Sequence, residues 1–135
     1  MIDCDAILYA HLVATGTPLR TLVADRIVYG DTPDGFTNTA TQIVYLVDDG
    51  DGDTSAPVYE RTYLFHCYGG SNRWADATAV YRALHGRLHG LNMERVGNSG
   101  VIMAMHEDDT GGPIVHPGTK HKLITCRFRG KFKEI

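Results

Sequence analysis

The sequence of 135 residues lacks most of the features that identify secreted, membrane or disulfide-rich proteins. Its three cysteines, Cys4, Cys67 and Cys126, are far apart and form no C-x-x-C motif, so reduced thiols are the simplest interpretation. No stretch approaches the roughly 20 apolar residues of a membrane-spanning helix. The acidic start, Met1–Asp5, lacks the basic residues that open a signal peptide. We therefore expect a cytosolic compartment and no membrane partner.

A strong excess of one charge is also missing. The chain has 13 Lys and Arg against 16 Asp and Glu, a net charge of −3, which gives no general attraction to nucleic acid or an anionic membrane. Hydrophobic residues make up 43% and charged residues 21%, which are ordinary values for a globular protein. We expect one domain over residues 1–135.

The strongest secondary-structure signal lies in Val58–Gly90. Val58–Tyr68 is rich in β-branched and aromatic residues and predicts a strand. Alternation gives it a core face made of Tyr59, Tyr63, Phe65 and Cys67. After Gly69–Gly70, a helix is predicted with Ser71 as its N-cap and Gly90 at its end. The apolar stripe of this helix comprises Trp74, Ala77, Tyr81, Leu84 and Leu88.

The remaining elements are predicted from the same patterns. An N-terminal helix, capped by Asp3 or Asp5, has an apolar side of Ile2, Ala6, Tyr9, Ala10 and Val13, and Thr17–Pro18 starts a short helical turn. The predicted strands are Asp25–Tyr29, Thr41–Val47, Leu91–Val96, Val101–Met105 and Thr119–Lys133. An acidic connector, Asp48–Pro57, makes an antiparallel hairpin, and Glu107–Gly118 is predicted to be a long loop. The order predicts an α+β fold: an antiparallel sheet of about four main strands, two helices packed on one face, and long hairpin loops.

The acidic connector contains a partial calcium-binding pattern. Asp49, Asp51, Asp53 and Glu60 match the carboxylate spacing of an EF-hand loop. However, Thr54 stands where that loop needs glycine, and strands rather than helices flank the segment. We favour a solvated hairpin tip.

Two histidines on the predicted helix have a spacing that can place both imidazoles on one metal ion. His85 and His89 are four residues apart, but no H-E-x-x-H motif occurs. We favour two shoulder residues of an amphipathic helix and expect no metal and no cofactor. The turn Gly69–Ser71 lacks the lysine of a phosphate-binding loop and is explained as a strand-to-helix connection. We find no catalytic constellation and expect no enzyme activity.

The last strand has one charged face. Ile124, Cys126, Phe128 and Phe132 share the core parity, whereas Arg127, Arg129, Lys131 and Lys133 share the other. On a terminal or edge strand, these cations could contact phosphate, discourage unwanted strand pairing, or meet the acidic surface of a partner. A simple solvated face is the fourth interpretation. The net charge and the lack of interleaved aromatic residues argue against nucleic-acid binding.

With these segments placed, the chain resembles the tail terminator (tail completion) family of long-tailed bacteriophages. The resemblance covers nearly the whole chain in the order of its elements. It is carried by the N-terminal helix, Asp25–Gly30 with Pro33 and Gly35, Ile43–Tyr45, Phe65–Gly70, Trp74–Ala77, Glu107–Asp109 and Ile124–Phe128. The acidic tip Asp48–Asp53 and the Glu107–Gly118 segment are both longer than is usual in that family.

The resemblance implies a structural role. Members form a ring, typically of six copies, on the finished tail tube, where they stop tube polymerisation and offer a docking face to the head connector. Genomic DNA passes through the ring without specific binding. The implied location is the tail or neck of the virion, after assembly in the host cytoplasm. Another neck or head-closure ring protein is the related alternative. A small metal-binding module or hydrolase using His85, His89 and the acidic loops is the alternative of a different class.

A ring with cyclic symmetry needs two different complementary patches on each subunit. We therefore predict a subunit or partner interface in which opposite charges meet. Its residues are Asp48, Asp49, Asp51, Asp53, Arg127, Arg129, Lys131 and Lys133.

Overall fold

The computed structural model describes residues 3–30, 41–53, 58–70, 73–115 and 121–134, with the backbone alone for 49–53. These residues form three helices and six strands. The helices are α1 (Cys4–Leu12), α2 (Pro18–Val23) and α3 (Trp74–Leu88). The strands are β1 (Ile27–Tyr29), β2 (Gln42–Asp53), β3 (Val58–Tyr68), β4 (Leu91–Val96), β5 (Gly100–Val115) and β6 (Lys122–Lys133).

All six strands belong to one sheet with the order β1-β2-β3-β6-β5-β4. β1 runs parallel to β2, and every other neighbouring pair is antiparallel. The predicted α+β class is confirmed. The predicted count of about four main strands is too low, because the short segments β1 and β4 both pair into the sheet, and three helices rather than two pack against it.

The predicted loop at Glu107–Gly118 is wrong as far as Val115. β5 continues through this segment and pairs with β6 from Glu107 opposite Phe128 to Val115 opposite Lys122. Register shifts at Glu107/Asp109 and Thr110/Gly112 accommodate the residues that normally break strands, and Gly112 takes a φ of +81°. Residues 116–118 lie outside the described part of the chain.

The predicted antiparallel hairpin between β2 and β3 is confirmed. Its ladder runs from Gln42 opposite Tyr68 to Asp53 opposite Val58, so strand pairing continues through the acidic residues. The predicted connector is therefore shorter, and its remaining residues 54–57 are outside the described ranges. β1 pairs only with Ile43–Tyr45, so the rest of β2 forms an edge of the described sheet.

Helix α1 begins as predicted but buries a different face. Asp3 is its N-cap, and its Oδ1 accepts a hydrogen bond from the Ala6 backbone N–H at 3.0 Å. The predicted apolar side is only partly correct: Ala10 and Val13 are partly buried against the core, but Ala6 and Tyr9 are exposed, and Ile2 lies outside the described ranges. The buried side follows an i, i+3, i+4 pattern with larger aliphatic side chains: Cys4, Ile7, Leu8, His11 and Leu12. Thr17 caps α2 as the Thr17–Pro18 pattern predicts.

The N-cap of helix α3 is Arg73, two residues after the predicted N-cap Ser71. Arg73 occupies the N-cap position without a side-chain hydrogen bond to the first turn, and Ser71 is not among the described residues. The predicted end at Gly90 is confirmed, with a φ of +82°. The buried side chains are Ala77, Val80, Leu84 and Leu88. Trp74 is instead 44% exposed, with the Lys122 Nζ 5.0 Å from its ring centroid.

The main core lies between the three helices and one face of the sheet. It contains the predicted core residues Tyr63, Phe65 and Cys67 of β3, with Tyr59 partly buried against them. The predicted core residues of β6 (Ile124, Cys126, Phe128 and Phe132) are also buried there. Cys4, Cys67 and Cys126 are buried free thiols. No helix within the described ranges is long and apolar enough to cross a membrane.

Candidate functional site: the charged face of the sheet

The charged side chains of β6 lie on the sheet face opposite the helices. Arg129 and Lys131 are exposed, and Arg127 and Lys133 are partly exposed, so the predicted alternation is confirmed. However, β6 lies between β3 and β5 in the interior of the sheet. The interpretation of these cations as protection of an edge strand is therefore wrong, because both sides of β6 already have partners.

Arg127 of β6 connects β2 and β5 through ion pairs to one aspartate in each strand. Its Nε donates a hydrogen bond to Oδ2 of Asp48 at 2.6 Å, and its Nη1 donates to Oδ2 of Asp109 at 3.3 Å. The hydrogen bond that Arg127 donates to Asp48 raises the pKa of Arg127 above its ordinary value. Asp48 and Arg127 thus pair within a single chain, and the predicted contact of the acidic segment and the basic strand between subunits or with a partner stays a prediction.

Arg129 makes a second set of ion pairs on the same face. Its Nε lies 3.4 Å from Oε1 of Glu60 in β3, and its Nη2 lies 3.6 Å from Oδ2 of Asp108 in β5. The two arginines and their four carboxylates form what we call the charge ladder (Asp48, Glu60, Asp108, Asp109, Arg127 and Arg129). Lys131 and Lys133 make no ion pair with any residue that the structure describes. The lysines are therefore the cations of this face that remain available to a partner.

The other acidic residues of the predicted interface lie along the same hairpin. Asp49, Asp51 and Asp53 pair through their backbones with Thr62, Glu60 and Val58, respectively. This extended ladder is incompatible with the coiled loop of an EF-hand. Of the predicted interface residues, the structure brings Asp48 to Arg127.

The two histidines of α3 are adjacent but poorly arranged for a metal. Their rings stack with centroids 4.5 Å apart and planes 16° apart. The His89 Nδ1 accepts a hydrogen bond from the Glu107 backbone N–H at 3.1 Å, which places the proton of the neutral ring on Nε2. The Glu107 carboxylate accepts a hydrogen bond from the Tyr81 hydroxyl at 2.6 Å. Within the described ranges, no group of three or more His, Cys, Asp or Glu residues is placed to hold a metal ion.

A buried polar contact between α1 and α3 had no signal in the sequence. The Arg87 Nε donates to the His11 carbonyl oxygen at 3.0 Å, and its Nη2 lies 3.3 Å from His11 Nδ1. The His11 Nε2 lies 3.1 Å from the Arg87 carbonyl oxygen. The Arg87 guanidinium can only donate, so His11 Nδ1 accepts its hydrogen bond. His11 Nε2 therefore carries the ring proton and donates it to the Arg87 carbonyl oxygen. The two residues are 76 positions apart, so no local pattern could have paired them.

This contact predicts a pH dependence of stability. Burial, and then the Arg87 charge, lower the pKa of His11 below its ordinary 6.5. The unfolded chain therefore binds the His11 proton at a higher pH than the folded chain does. The contribution to stability is complete above pH 6.5 and falls as the pH drops from there toward the folded-state pKa, by at most about 1.4 kcal/mol per pH unit.

Denaturant unfolding of the wild type and His11→Gln between pH 7.5 and 5 measures this term. We expect the difference between the two free energies of unfolding to shrink as the pH falls. A difference that is constant across this interval would contradict a neutral buried His11.

No protein-family model matches the chain, and a comparison with curated proteins gives no match. Among solved structures, the chain is similar to a chain from "Virion of native gene transfer agent (GTA) particle". The two share 17% sequence identity with a TM-score of 0.69, and the match covers 96% of this chain and 94% of that chain. The likeness shows that the two chains share a fold over nearly their whole lengths.

Proposed function

We propose that this protein is a structural component of a phage or phage-like virion. The observation that carries the proposal is the shared fold with a chain of a gene transfer agent virion, which spans almost all of both chains. A virion component works by assembling with other proteins of the particle. Its function therefore lies in surfaces that other chains contact, rather than in a catalytic centre.

Within the particle, we propose the role of tail terminator. In this role the protein forms a ring of six copies on the finished tail tube, stops further addition of tube protein, and presents a docking face to the head connector. The order of elements supports this role, because the resemblance to the tail terminator family extends from α1 to β6. The sheet supports a ring, because its two edges are different surfaces, as a head-to-tail contact requires.

We further propose that the β6 face contacts the tail partner. Arg127 and Arg129 are engaged in the charge ladder, whereas Lys131 and Lys133 extend the same row of cations without a described ion pair. Exposed charges of this kind direct association and orientation more than they add affinity. The lysines would therefore orient the ring on an acidic surface of the tail.

Charge reversal at the two lysines tests this contact. We expect Lys131→Glu with Lys133→Glu to reduce tube capping by roughly tenfold, because like charges replace an attractive contact. The thermal unfolding midpoint should fall only slightly, because the ion pairs of the charge ladder are kept although Lys131→Glu places a carboxylate opposite Glu60. Arginine at both positions keeps the charge and should cap normally. Normal capping by the glutamate variant would contradict the contact.

Arg127→Glu with Arg129→Glu is the complementary variant. Each substitution places a carboxylate beside Asp48 and Asp109, or beside Glu60 and Asp108. We expect this variant to lose capping and also to unfold at a lower temperature. The lysine variant therefore separates recognition from stability, which the arginine variant does not.

Tube capping itself tests the proposed role. The tail-tube protein of the same particle is polymerised with and without this chain, and the tubes are imaged by electron microscopy. A ring at one end and arrested growth are expected. Continued growth with bare ends would contradict the terminator role, and binding to the head connector under those conditions would instead indicate a head-closure ring.

A further inference from the structure

Met93 has an unfavourable backbone conformation in the middle of a terminal strand of the sheet. Its φ is +52°, in the left-handed region that favours glycine and that large side chains rarely adopt. The strand continues through this residue, because Asn92 and Glu94 on either side of it still pair with β5. Burial does not offset the cost, since the Met93 side chain is 49% exposed. Strained residues cluster at functional sites, so Met93 indicates a contact made outside the chain.

The strand β4 presents Met93 together with an available cation. β4 ends the sheet on one side, and its four residues Asn92–Arg95 are all exposed. Arg95 uses its Nε for the Gly97 carbonyl oxygen at 3.1 Å, and its two terminal nitrogens have no partner among the described residues. Burial lowers the pKa of Arg87 and the nearby Glu94 carboxylate opposes that shift, so the Glu94 charge is partly matched within the chain. We call Met93 and Arg95 the methionine edge.

The other terminal strand, β1, carries an exposed tyrosine. Tyr29 is 48% exposed, and its ring meets the buried Tyr45 edge-on with centroids 5.3 Å apart. Tyr9 of α1 is also exposed. Burial raises the pKa of Tyr45, and the charges of Asp5 and of both exposed tyrosines raise it further, so all three groups lie near it. We call Tyr9, Tyr29 and Asp5 the tyrosine patch.

The methionine edge and the tyrosine patch are complementary in chemistry and in charge. A methionine sulfur makes favourable contacts with aromatic rings, and a guanidinium stacks on tyrosine or pairs with a carboxylate. The Asp5 carboxylate accepts a hydrogen bond from the Tyr63 hydroxyl at 2.7 Å and makes no ion pair with any residue that the structure describes. It can therefore receive the Arg95 guanidinium. Tyrosine, methionine and arginine are also enriched in protein interfaces.

We propose that the methionine edge of one copy docks on the tyrosine patch of a neighbouring copy. The occupant is a second copy, because Met93 and Tyr29 lie on the two opposite terminal strands of one sheet. Such a contact is heterologous, and its repetition around an axis closes a ring. This inference rests on the proposed ring and names residues that join its subunits. It leaves the β6 lysines to the tail partner.

Removal of the Met93 side chain should weaken association without weakening the fold. Glycine adopts a φ of +52° without steric cost, so the thermal unfolding midpoint of Met93→Gly should equal or exceed that of the wild type. Self-association, measured by sedimentation over a range of protein concentrations, should weaken at least about tenfold, because the thioether contact is lost. Met93→Leu keeps an apolar side chain of similar volume and should associate within about threefold of the wild type.

Ala24→Gly is the matched control for backbone strain. Among the described residues, Ala24 is the other non-glycine residue with a positive φ, +53°, and it follows α2 outside both proposed surfaces. This variant should also keep or gain stability, but it should associate as the wild type does. Wild-type association of Met93→Gly would show that the exposed side chain makes no subunit contact, which overturns the proposal.

A mixing experiment tests whether the contact is heterologous. Tyr9→Ala with Tyr29→Ala removes the rings of the tyrosine patch, whereas Met93→Gly with Arg95→Ala removes the methionine edge. Each two-residue variant alone should associate at least about tenfold more weakly than the wild type. Their mixture should form one-to-one pairs and stop there, because each pair contains one intact contact. Absence of these pairs at concentrations where the wild type self-associates would overturn the docking contact.

Tube capping, measured in parallel, separates this inference from the proposed function. Weak association of both variants and pairing in their mixture, without capping by the wild type, supports the contact and overturns the terminator role. Capping by the wild type, with both variants associating as it does, overturns the contact and keeps the terminator role. A wild type that neither self-associates at any concentration nor forms rings on tubes overturns both.

Discussion

Replacing Phe65 with alanine is expected to lower the free energy of unfolding by about 3–5 kcal/mol. Phe65 is fully buried at the centre of β3. Its ring stacks on Tyr45 of β2 at 5.3 Å and meets Phe128 of β6 edge-on at 5.7 Å. Alanine would remove both aromatic contacts and leave a cavity between three strands and the helices, which the close-packed core can fill only partly.

Denaturant titration measures this loss of unfolding free energy. In a thermal unfolding measurement, the midpoint of a domain of this size would fall by roughly 10–20 °C. Tyr9→Ala is the matched control, because this aromatic residue is 43% exposed on α1 and its removal should change stability by less than about 0.5 kcal/mol. If Phe65→Ala unfolds within a few degrees of the wild type, the packing of the sheet against the helices is different from that described.

The sequence predicted the main core face of the two central strands well, although the other face also buries Tyr68 and Leu123. In β3 and β6, aromatic and aliphatic residues alternate with polar ones. This period of two is typical of a strand whose successive side chains point to opposite faces of the sheet. Tyr63, Phe65, Phe128 and Phe132 are fully buried as predicted. The caps at Asp3 and Thr17 were also predictable, because a helix cap depends on residues within three positions.

The errors arose where the tertiary environment outweighed the local pattern. In α1, two apolar sets were available, and the one with the larger aliphatic side chains (Ile7, Leu8 and Leu12) faces the sheet. In β5, Gly111, Gly112 and Pro113 suggested a loop, but pairing with β6 carries the strand across them. Bulges absorb the extra residues, and bulge positions have no reliable signal in a single sequence.

The charged surfaces were predictable in part. Alternation placed Arg127 and Arg129 on one face, but strand order decides which carboxylates they meet, and sequence does not give that order. The assignment of the β6 face to a tail contact stays a prediction for the lysine charge reversal.

Two glycines next to or within α3 should respond to alanine with opposite signs. A Cβ on Gly69 would lie 2.6 Å from the backbone nitrogen of Ala77 and 2.6 Å from Cβ of Asp76. Backbone atoms of a packed helix move little, so α3 would have to shift away from the end of β3. We expect Gly69→Ala to destabilise the protein by about 1–3 kcal/mol. A Cβ on Gly86 would meet nothing within 4 Å, and alanine should stabilise the helix by roughly 0.5–1 kcal/mol.

Thermal unfolding of the two variants beside the wild type provides the measurement. Since both changes add one methyl group, a difference in sign reports the space around each site rather than the chemistry of the substitution. Equal stability of the two variants would show that the end of β3 does not approach α3 as closely as described.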